Sequence, residues 1–125
     1  MKKFLTLFFI NFIYSQQPII DINFERMSEI LERESTVLID VRTPDEYNSF
    51  RIKSSINIDY YSPSFLDSIS SYKAKKNIIF YCRSGRRSNY AAKLIQKKGF
   101  NMIYNLKGGV LDVKKKNLEF KTLNN

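Results

Sequence analysis

The sequence predicts an α/β domain in which a central parallel sheet of five strands carries helices on both faces. Short β-branched or aromatic runs alternate with segments whose apolar residues recur at helical spacing, a pattern typical of parallel α/β sheets. The composition agrees with a packed domain, since 43% of the residues are hydrophobic and the chain contains 8 Tyr and 10 Phe. A length of 125 residues leaves room for one domain.

Each predicted strand is a short run that is rich in β-branched or aromatic residues. The fourth run is the strongest and leads directly into Cys82. Gly99 ends the helix before the last strand, and Gly108-Gly109 predicts a turn after it. Beyond Val113 the sequence is polar and predicts no element. The five strands cover residues 19–22, 36–39, 56–58, 77–81 and 102–104.

Four helices are predicted from apolar spacing and from residues that favour helix starts. The first follows Asn23, which can cap it, the second begins at Pro44, the third begins at Ser62-Pro63, and the fourth covers residues 88–98. The side chains expected to face the core are Phe24, Met27, Ile30 and Leu31 in the first helix, Phe65, Leu66, Ile69 and Tyr72 in the third, and Tyr90, Ala91, Leu94 and Ile95 in the fourth.

Residues 1–15 have the pattern of a secretory signal peptide. Two lysines precede an almost unbroken apolar run that ends at Tyr14, and the small Ser15 then precedes polar residues. The run is shorter than the about 20 residues that span a bilayer. We therefore expect cleavage after Ser15, a domain over residues 16–125, no membrane span after cleavage, and export, with a periplasm as the expected compartment. The alternatives are a retained membrane anchor and a first strand or core helix.

The charge and the rare residue types narrow the function classes. The formal net charge of +9 suits small anionic substrates, acidic membranes or nucleic acid. The run Lys114-Lys115-Lys116 has no nucleic-acid or zinc motif beside it and is interpreted as solvated surface, so no nucleic-acid partner is expected. The chain has no histidine, which excludes imidazole catalysis and His-ligated metal, and its single cysteine excludes an internal disulfide. No metal or organic cofactor is expected.

The candidate active loop, Cys82-Arg83-Ser84-Gly85-Arg86-Arg87-Ser88, joins the fourth strand to the fourth helix. Ligand sites of parallel sheets lie beyond the carboxyl ends of strands. Backbone N–H groups of such a loop, the positive end of the following helix and three arginines all favour a thiolate over a thiol. Gly85 permits a backbone conformation that other residues resist. Cys82 is therefore predicted to be a nucleophile that needs no general base. The alternative is an ordinary turn with exposed arginines.

Four segments, taken together in order and spacing, resemble the single-domain rhodaneses, which are thiosulfate sulfurtransferases. They cover residues about 37–113, and the resemblance implies a rhodanese-like fold. The segments are Leu38-Ile39-Asp40-Val41-Arg42 with Glu46-Tyr47, residues 52–58, residues 81–88, and Gly99-Phe100 with Leu106-Lys107-Gly108-Gly109.

The resemblance also implies a two-step sulfur transfer without a cofactor. The Cys82 thiolate would take the outer sulfur of thiosulfate as a persulfide and release sulfite, and a thiol or cyanide would then accept that sulfur. Arg83 and Arg86 would bind the sulfonate end of thiosulfate. Backbone N–H groups from Arg83 to Ser88, including those of Ser84 and Gly85, would surround the persulfide.

Other charged residues receive different interpretations. Arg87 would bind the substrate or anchor the loop internally, and the sequence leaves both open. Asp40 and Arg42 are interpreted as structural, with Arg42 expected to pair with Glu46 across the helix start.

Two rival functions remain. A persulfide carrier or binding module would receive sulfur from a partner protein and pass it on. A phosphatase or arsenate reductase on the same fold would need a loop one residue longer than the six positions from Cys82 to Arg87, so the resemblance implies a cradle sized for sulfur. The sequence predicts no oligomeric state.

Overall fold

The computed structural model describes Lys3 and residues 16–115. The predicted signal peptide, residues 1–15, lies outside the described residues except for Lys3, and so does the tail from residue 116. In the described part of the chain, no helix combines the length and the apolar character needed to cross a membrane.

The sheet consists of β1 (Ile19–Ile22), β2 (Thr36–Asp40), β3 (Ile56–Asn57), β4 (Asn77–Tyr81) and β5 (Met102–Leu106). All pairs are parallel and the order is β1-β5-β4-β2-β3, which confirms the predicted fold class. The chain moves outward from β2 to β3 and in the opposite direction from β4 to β5. The strand order therefore reverses between β2 and β4, and ligands of open α/β sheets bind at such a reversal.

Residues 16–115 contain the helices α1 (Phe24–Arg33), α2 (Pro44–Ser49), α3 (Phe65–Ser70), α4 (Arg86–Ile95) and α5 (Gly109–Lys115). The predicted cap is confirmed at Asn23, whose Oδ1 accepts a hydrogen bond from the N–H of Arg26 at 2.9 Å. The third helix begins at Phe65, later than predicted. The fourth begins two residues earlier than predicted, so the loop after Cys82 enters a helix within four residues.

Two apolar cores lie on the two faces of the sheet. Residues of α3 and α4 form one core with Val37, Ile39, Ile78 and Phe80. Residues of α1 and α5 form the other with Leu38, Ile79 and Tyr81. Successive side chains of β4 alternate between the two cores. Cys82 continues this alternation and belongs to the core beneath α4.

Three side chains that were predicted to face the core lie at the surface instead. Leu66, Tyr90 and Leu94 are 42%, 41% and 43% exposed. The buried side of α4 is formed by small residues and one isoleucine, so the predicted face was wrong by about one position. Small side chains let the helix approach the sheet closely. The buried residues of α4 are Ser88, Ala91, Ala92 and Ile95.

Helix α5 was not predicted from the sequence. It begins at Gly109, and glycine has low intrinsic helix propensity. Tertiary contacts stabilise it, because Val110 and Val113 are buried in the core on the α1 face. The turn predicted at Gly108-Gly109 lies at Lys107 and Gly108, whereas Gly109 already belongs to α5 and lies against the Cys82 loop.

Candidate active site

Cys82 lies directly after β4, at the carboxyl edge of the sheet and before the N-terminus of α4. Its side chain is buried, with 1% of the residue exposed. The N–H of Gly85 donates a hydrogen bond to Sγ at 3.1 Å, and Ser88 Oγ lies 3.4 Å from Sγ. The sulfur thus has polar neighbours on the side of α4 and an apolar core behind it.

The loop can turn back on its own sulfur because Gly85 adopts a left-handed conformation. Its φ is +97°, and it occupies the position that precedes the first residue of α4. This conformation is costly for residues with a Cβ. The N–H groups in the first turn of a helix have no partner within the helix. Those of Arg86, Arg87 and Ser88 therefore add positive potential beside Cys82.

The first half of the loop is fixed by the backbone of α5. The N–H groups of Val110 and Leu111 donate to the carbonyls of Cys82 and Arg83, both at 3.0 Å. A Cβ on Gly109 would collide with the Cys82 oxygen and would lie 2.6 Å from the Arg83 oxygen. Only glycine allows this approach, so Gly109 belongs to the architecture of the site.

The second half of the loop is fixed by an ion pair that the sequence did not reveal. Arg87 Nη1 and Nη2 donate to Glu46 Oε1 and Oε2 at 2.7 and 2.9 Å. These bonds lower the pKa of Glu46 from 4.5 to about 2 and raise the pKa of Arg87. Glu46 also completes a capping box with Thr43 at the start of α2. This ion pair agrees with the second of the two roles predicted for Arg87, that of an internal anchor of the loop.

The predicted pairing of Arg42 with Glu46 was wrong. Arg42 Nη2 instead donates to Asp40 Oδ2 at 2.7 Å, and its Nε contacts both carboxylate oxygens of Asp40. Both residues are buried, at 4% and 0% exposure. The extended turn after β2 brings the two side chains together and leaves Glu46 for Arg87. The structural interpretation of Asp40 and Arg42 agrees with this burial.

Arg83, Ser84 and Arg86 are exposed around the loop. Arg83 forms no side-chain hydrogen bond or ion pair within residues 16–115. The guanidinium of Arg86 lies 5.9 Å from the centre of the Tyr90 ring and lowers the pKa of Tyr90. Two of the three loop arginines thus keep their positive charge at the surface for an anion.

The geometry of the loop suits attack by sulfur on an anionic substrate. It combines a single thiol, an N–H aimed at that thiol, a helix N-terminus and two uncompensated guanidinium groups. Among residues 16–115, no group of three or more Cys, Asp or Glu side chains is placed to hold a metal ion.

Comparison with known proteins places this geometry in a family. A family model described as a rhodanese-like domain matches residues 23–116. A putative mitochondrial thiosulfate sulfurtransferase of Schizosaccharomyces pombe is 33% identical over 105 residues, which cover 72% of this chain and 74% of that protein. A tRNA uridine(34) hydroxylase of Pelagibacter ubique is 33% identical over 92 residues, but this match covers 70% of this chain and 30% of that protein.

Solved structures agree on the fold. A rhodanese-related protein from Thermoplasma volcanium superposes with a TM-score of 0.68 over 85% of this chain and 99% of that chain. At 24% identity, this superposition shows a shared fold alone. The match of the rhodanese-like family model to residues 23–116 confirms the resemblance inferred from the four sequence segments.

Proposed function

This chain belongs to the rhodanese-like family, and we propose that it is a sulfurtransferase that carries sulfane sulfur from thiosulfate on Cys82. The observation that carries the proposal is the hydrogen bond from Gly85 N–H to Cys82 Sγ at the N-terminus of α4. This arrangement stabilises negative charge on Sγ, and it would equally stabilise negative charge on a sulfur bonded to Sγ. The name of the Schizosaccharomyces pombe relative supports thiosulfate as the donor.

In the first step, the Cys82 thiolate attacks the outer sulfur of thiosulfate. A bond forms between Sγ and that sulfur, and the S–S bond of thiosulfate breaks. Its electron pair leaves with sulfite, and the loop holds a persulfide anion. The exposed guanidinium groups of Arg83 and Arg86 bind the sulfonate oxygens by charge-assisted hydrogen bonds. Arg87 has no part in this contact because Glu46 holds it.

In the second step, a nucleophile attacks the outer sulfur of the persulfide. With cyanide, a C–S bond forms, the Sγ–S bond breaks and its electron pair returns to Cys82 as thiolate. Thiocyanate leaves and the cycle closes. A thiol in its anionic form acts in the same way on the protonated persulfide, and a new persulfide leaves.

The experiment compares wild type with Cys82→Ser in a thiosulfate–cyanide assay. We expect thiocyanate formation to fall by about 10³-fold or more, because the nucleophile is gone. Circular dichroism should show the same fold in both proteins. Thiocyanate formation at the wild-type rate in Cys82→Ser would refute the mechanism.

Intact-mass measurement separates the rival functions. Wild type incubated with thiosulfate should gain the mass of one sulfur atom, and Cys82→Ser should not. A protein that gains sulfur from polysulfide but never from thiosulfate would be a carrier fed by a partner. Hydrolysis of aryl phosphates without sulfur transfer would favour a phosphatase.

A further inference from the structure

An open cleft of about 240 Å³ lies directly beside the Cys82 loop. It is formed at the carboxyl ends of β1 and β5, and residues 84–86 of the loop form one of its walls. The same Gly85 whose N–H donates to Cys82 Sγ therefore lines the cleft. A larger space of about 630 Å³ adjoins it and shares Asp21 and Lys107.

The cleft carries charges of both signs that do not neutralise each other. Asp21 and Lys107 both line it, yet neither forms an ion pair with any residue of the described part of the chain. One oxygen of Asp21 accepts a hydrogen bond from Asn105 Nδ2 at 3.1 Å, which fixes the carboxylate. Arg86 also lines the cleft and adds a second cation.

Such a pattern complements a small zwitterion. A carboxylate accepts hydrogen bonds from an ammonium group, and lysine and arginine bind a carboxylate. A molecule with both groups on one carbon would contact Asp21 through its ammonium group and Lys107 or Arg86 through its carboxylate. The cleft is close to the size of small-ligand sites, which are about 300 Å³ and larger.

We infer that this cleft binds the α-amino-acid end of the thiol that accepts sulfur from Cys82. The inference rests on the proposed sulfur transfer. The cleft and the Cys82 loop share the wall formed by residues 84–86, and the N–H of Gly85 in that wall donates to Cys82 Sγ at 3.1 Å. A thiol at the other end of the ligand would therefore approach Cys82 along this wall. Free cysteine and the γ-glutamyl end of glutathione share this chemistry.

The acceptor thiol takes the outer sulfur from the persulfide on Cys82. The acceptor thiol gives its proton to the persulfide anion on Cys82. The resulting thiolate attacks the outer sulfur of the protonated persulfide, and a new S–S bond forms. The bond between that sulfur and Cys82 Sγ breaks, and its electron pair restores the Cys82 thiolate. The proton leaves on the persulfide of the acceptor.

The first test compares acceptors on Asp21→Asn and Lys107→Gln. The Asp21→Asn side chain keeps an oxygen for the amide of Asn105, and the backbone N–H of Lys107, which donates to Ile22 O at 2.9 Å, is present in either variant. We expect the KM for cysteine and glutathione to rise about tenfold relative to the KM for 2-mercaptoethanol, which has no charged groups. The control Lys97→Gln, an exposed charge beyond the far end of α4, should leave that ratio unchanged. Equal changes for charged and uncharged thiols would overturn the inference.

A second test is independent of turnover and separates this inference from the proposed function. S-methylcysteine and S-methylglutathione cannot accept sulfur, and each is titrated into ¹⁵N-labelled wild type and Asp21→Asn. We expect shifts of the Ser84, Lys107 and Gly108 amides and a Kd about tenfold weaker in the variant. The analogue that binds more tightly identifies the preferred acceptor. Absence of shifts with both analogues would overturn the inference even if Cys82 accepts sulfur from thiosulfate.

Discussion

The two halves of the Cys82 loop are held by contacts of different physical kinds. The first half is held by backbone hydrogen bonds from α5, with Gly109 packed against the carbonyls of Cys82 and Arg83. The second half is held by the ion pair between Arg87 and Glu46, whose side chains are 19% and 31% exposed. Steric fit therefore sets the position of the sulfur, whereas a charge sets the position of the helix start. Only the second contact can respond to pH.

The largest loss of stability should come from Gly109→Ala, which disrupts the close packing of α5 against the Cys82 loop. The added methyl group would collide with the Cys82 oxygen, and the φ of +55° is unfavourable for alanine. Strain and overpacking together should lower the free energy of unfolding by about 2–5 kcal/mol. Urea denaturation measures this loss, and sulfur transfer should fall because the loop must move.

Gly99→Ala is the matched control. Gly99 has a φ of +84°, but a Cβ there would meet no atom within 4 Å. In Gly99→Ala the free energy of unfolding should fall by about 1 kcal/mol, from backbone strain alone, and sulfur transfer should be unchanged. Equal losses for the two variants would mean that the contact with the loop carbonyls contributes nothing.

A smaller effect is expected from Glu46→Gln on the charged side. Glutamine keeps an oxygen for the capping box with Thr43 but leaves Arg87 without its charge partner. The pair is partly shielded from solvent, so we expect a loss of about 1–2 kcal/mol in the free energy of unfolding and about a tenfold drop in kcat/KM. Urea denaturation and the thiosulfate–cyanide assay measure the two quantities.

The exposed pair of Arg26 and Glu29 supplies the comparison. Their side chains are 55% and 52% exposed, and their contact distance is 3.1 Å. Glu29→Gln should cost less than about 0.5 kcal/mol and leave turnover unchanged. A loss as large as that of Glu46→Gln would show that burial beside the loop adds nothing to the Arg87 pair.

The smallest effect is a pH dependence of the free energy of unfolding, which should distinguish the Arg87–Glu46 ion pair from the packing of Gly109. The pKa of Glu46 is lowered to about 2 from an ordinary value of 4.5 by its hydrogen bonds with Arg87. Its contribution to stability is therefore fully present above about pH 4.5 and is lost as the pH falls through about 2. The difference in unfolding free energy between wild type and Glu46→Gln should shrink across that interval. The penalty of Gly109→Ala should stay constant, and a pH-independent Glu46→Gln penalty would contradict the ion-pair account.

The sheet and the nucleophile were predictable because their patterns are local. Each strand is a short apolar run, and Cys82 follows the strongest of them, so strand alternation alone sets the core in which its side chain lies. The exposed positions of Tyr90 and Leu94 were not predictable in this way. The apolar spacing of α4 is compatible with two neighbouring faces of the helix. The face with the small residues Ala91 and Ala92 packs against the sheet, which leaves Tyr90 and Leu94 at the surface.

The supports of the loop were not predictable because they are tertiary. Arg87 and Glu46 are 41 positions apart in the sequence. Arg42 is nearer to Glu46 in the sequence and was predicted to be its partner, but Arg42 pairs with the buried Asp40 instead. Helix α5 begins with a glycine, and only the loop carbonyls and the packing of Val110 explain its formation. The pairing of Gly109 with the loop could be suspected only from the Gly-Gly sequence in the closing segment.

The depth of Cys82 has a consequence for how the molecule meets other reagents. Its thiol is almost wholly covered, and in the proposed cycle the sulfur that it accepts would lie about 2 Å from Sγ. In the proposed cycle, the empty protein would shield its thiol from bulky electrophiles, whereas the loaded protein would offer them the outer sulfur, one S–S bond length beyond Sγ. Large alkylating reagents would then react faster with the sulfur-loaded protein than with the empty one. Their rate of reaction would report how much of the protein carries sulfur.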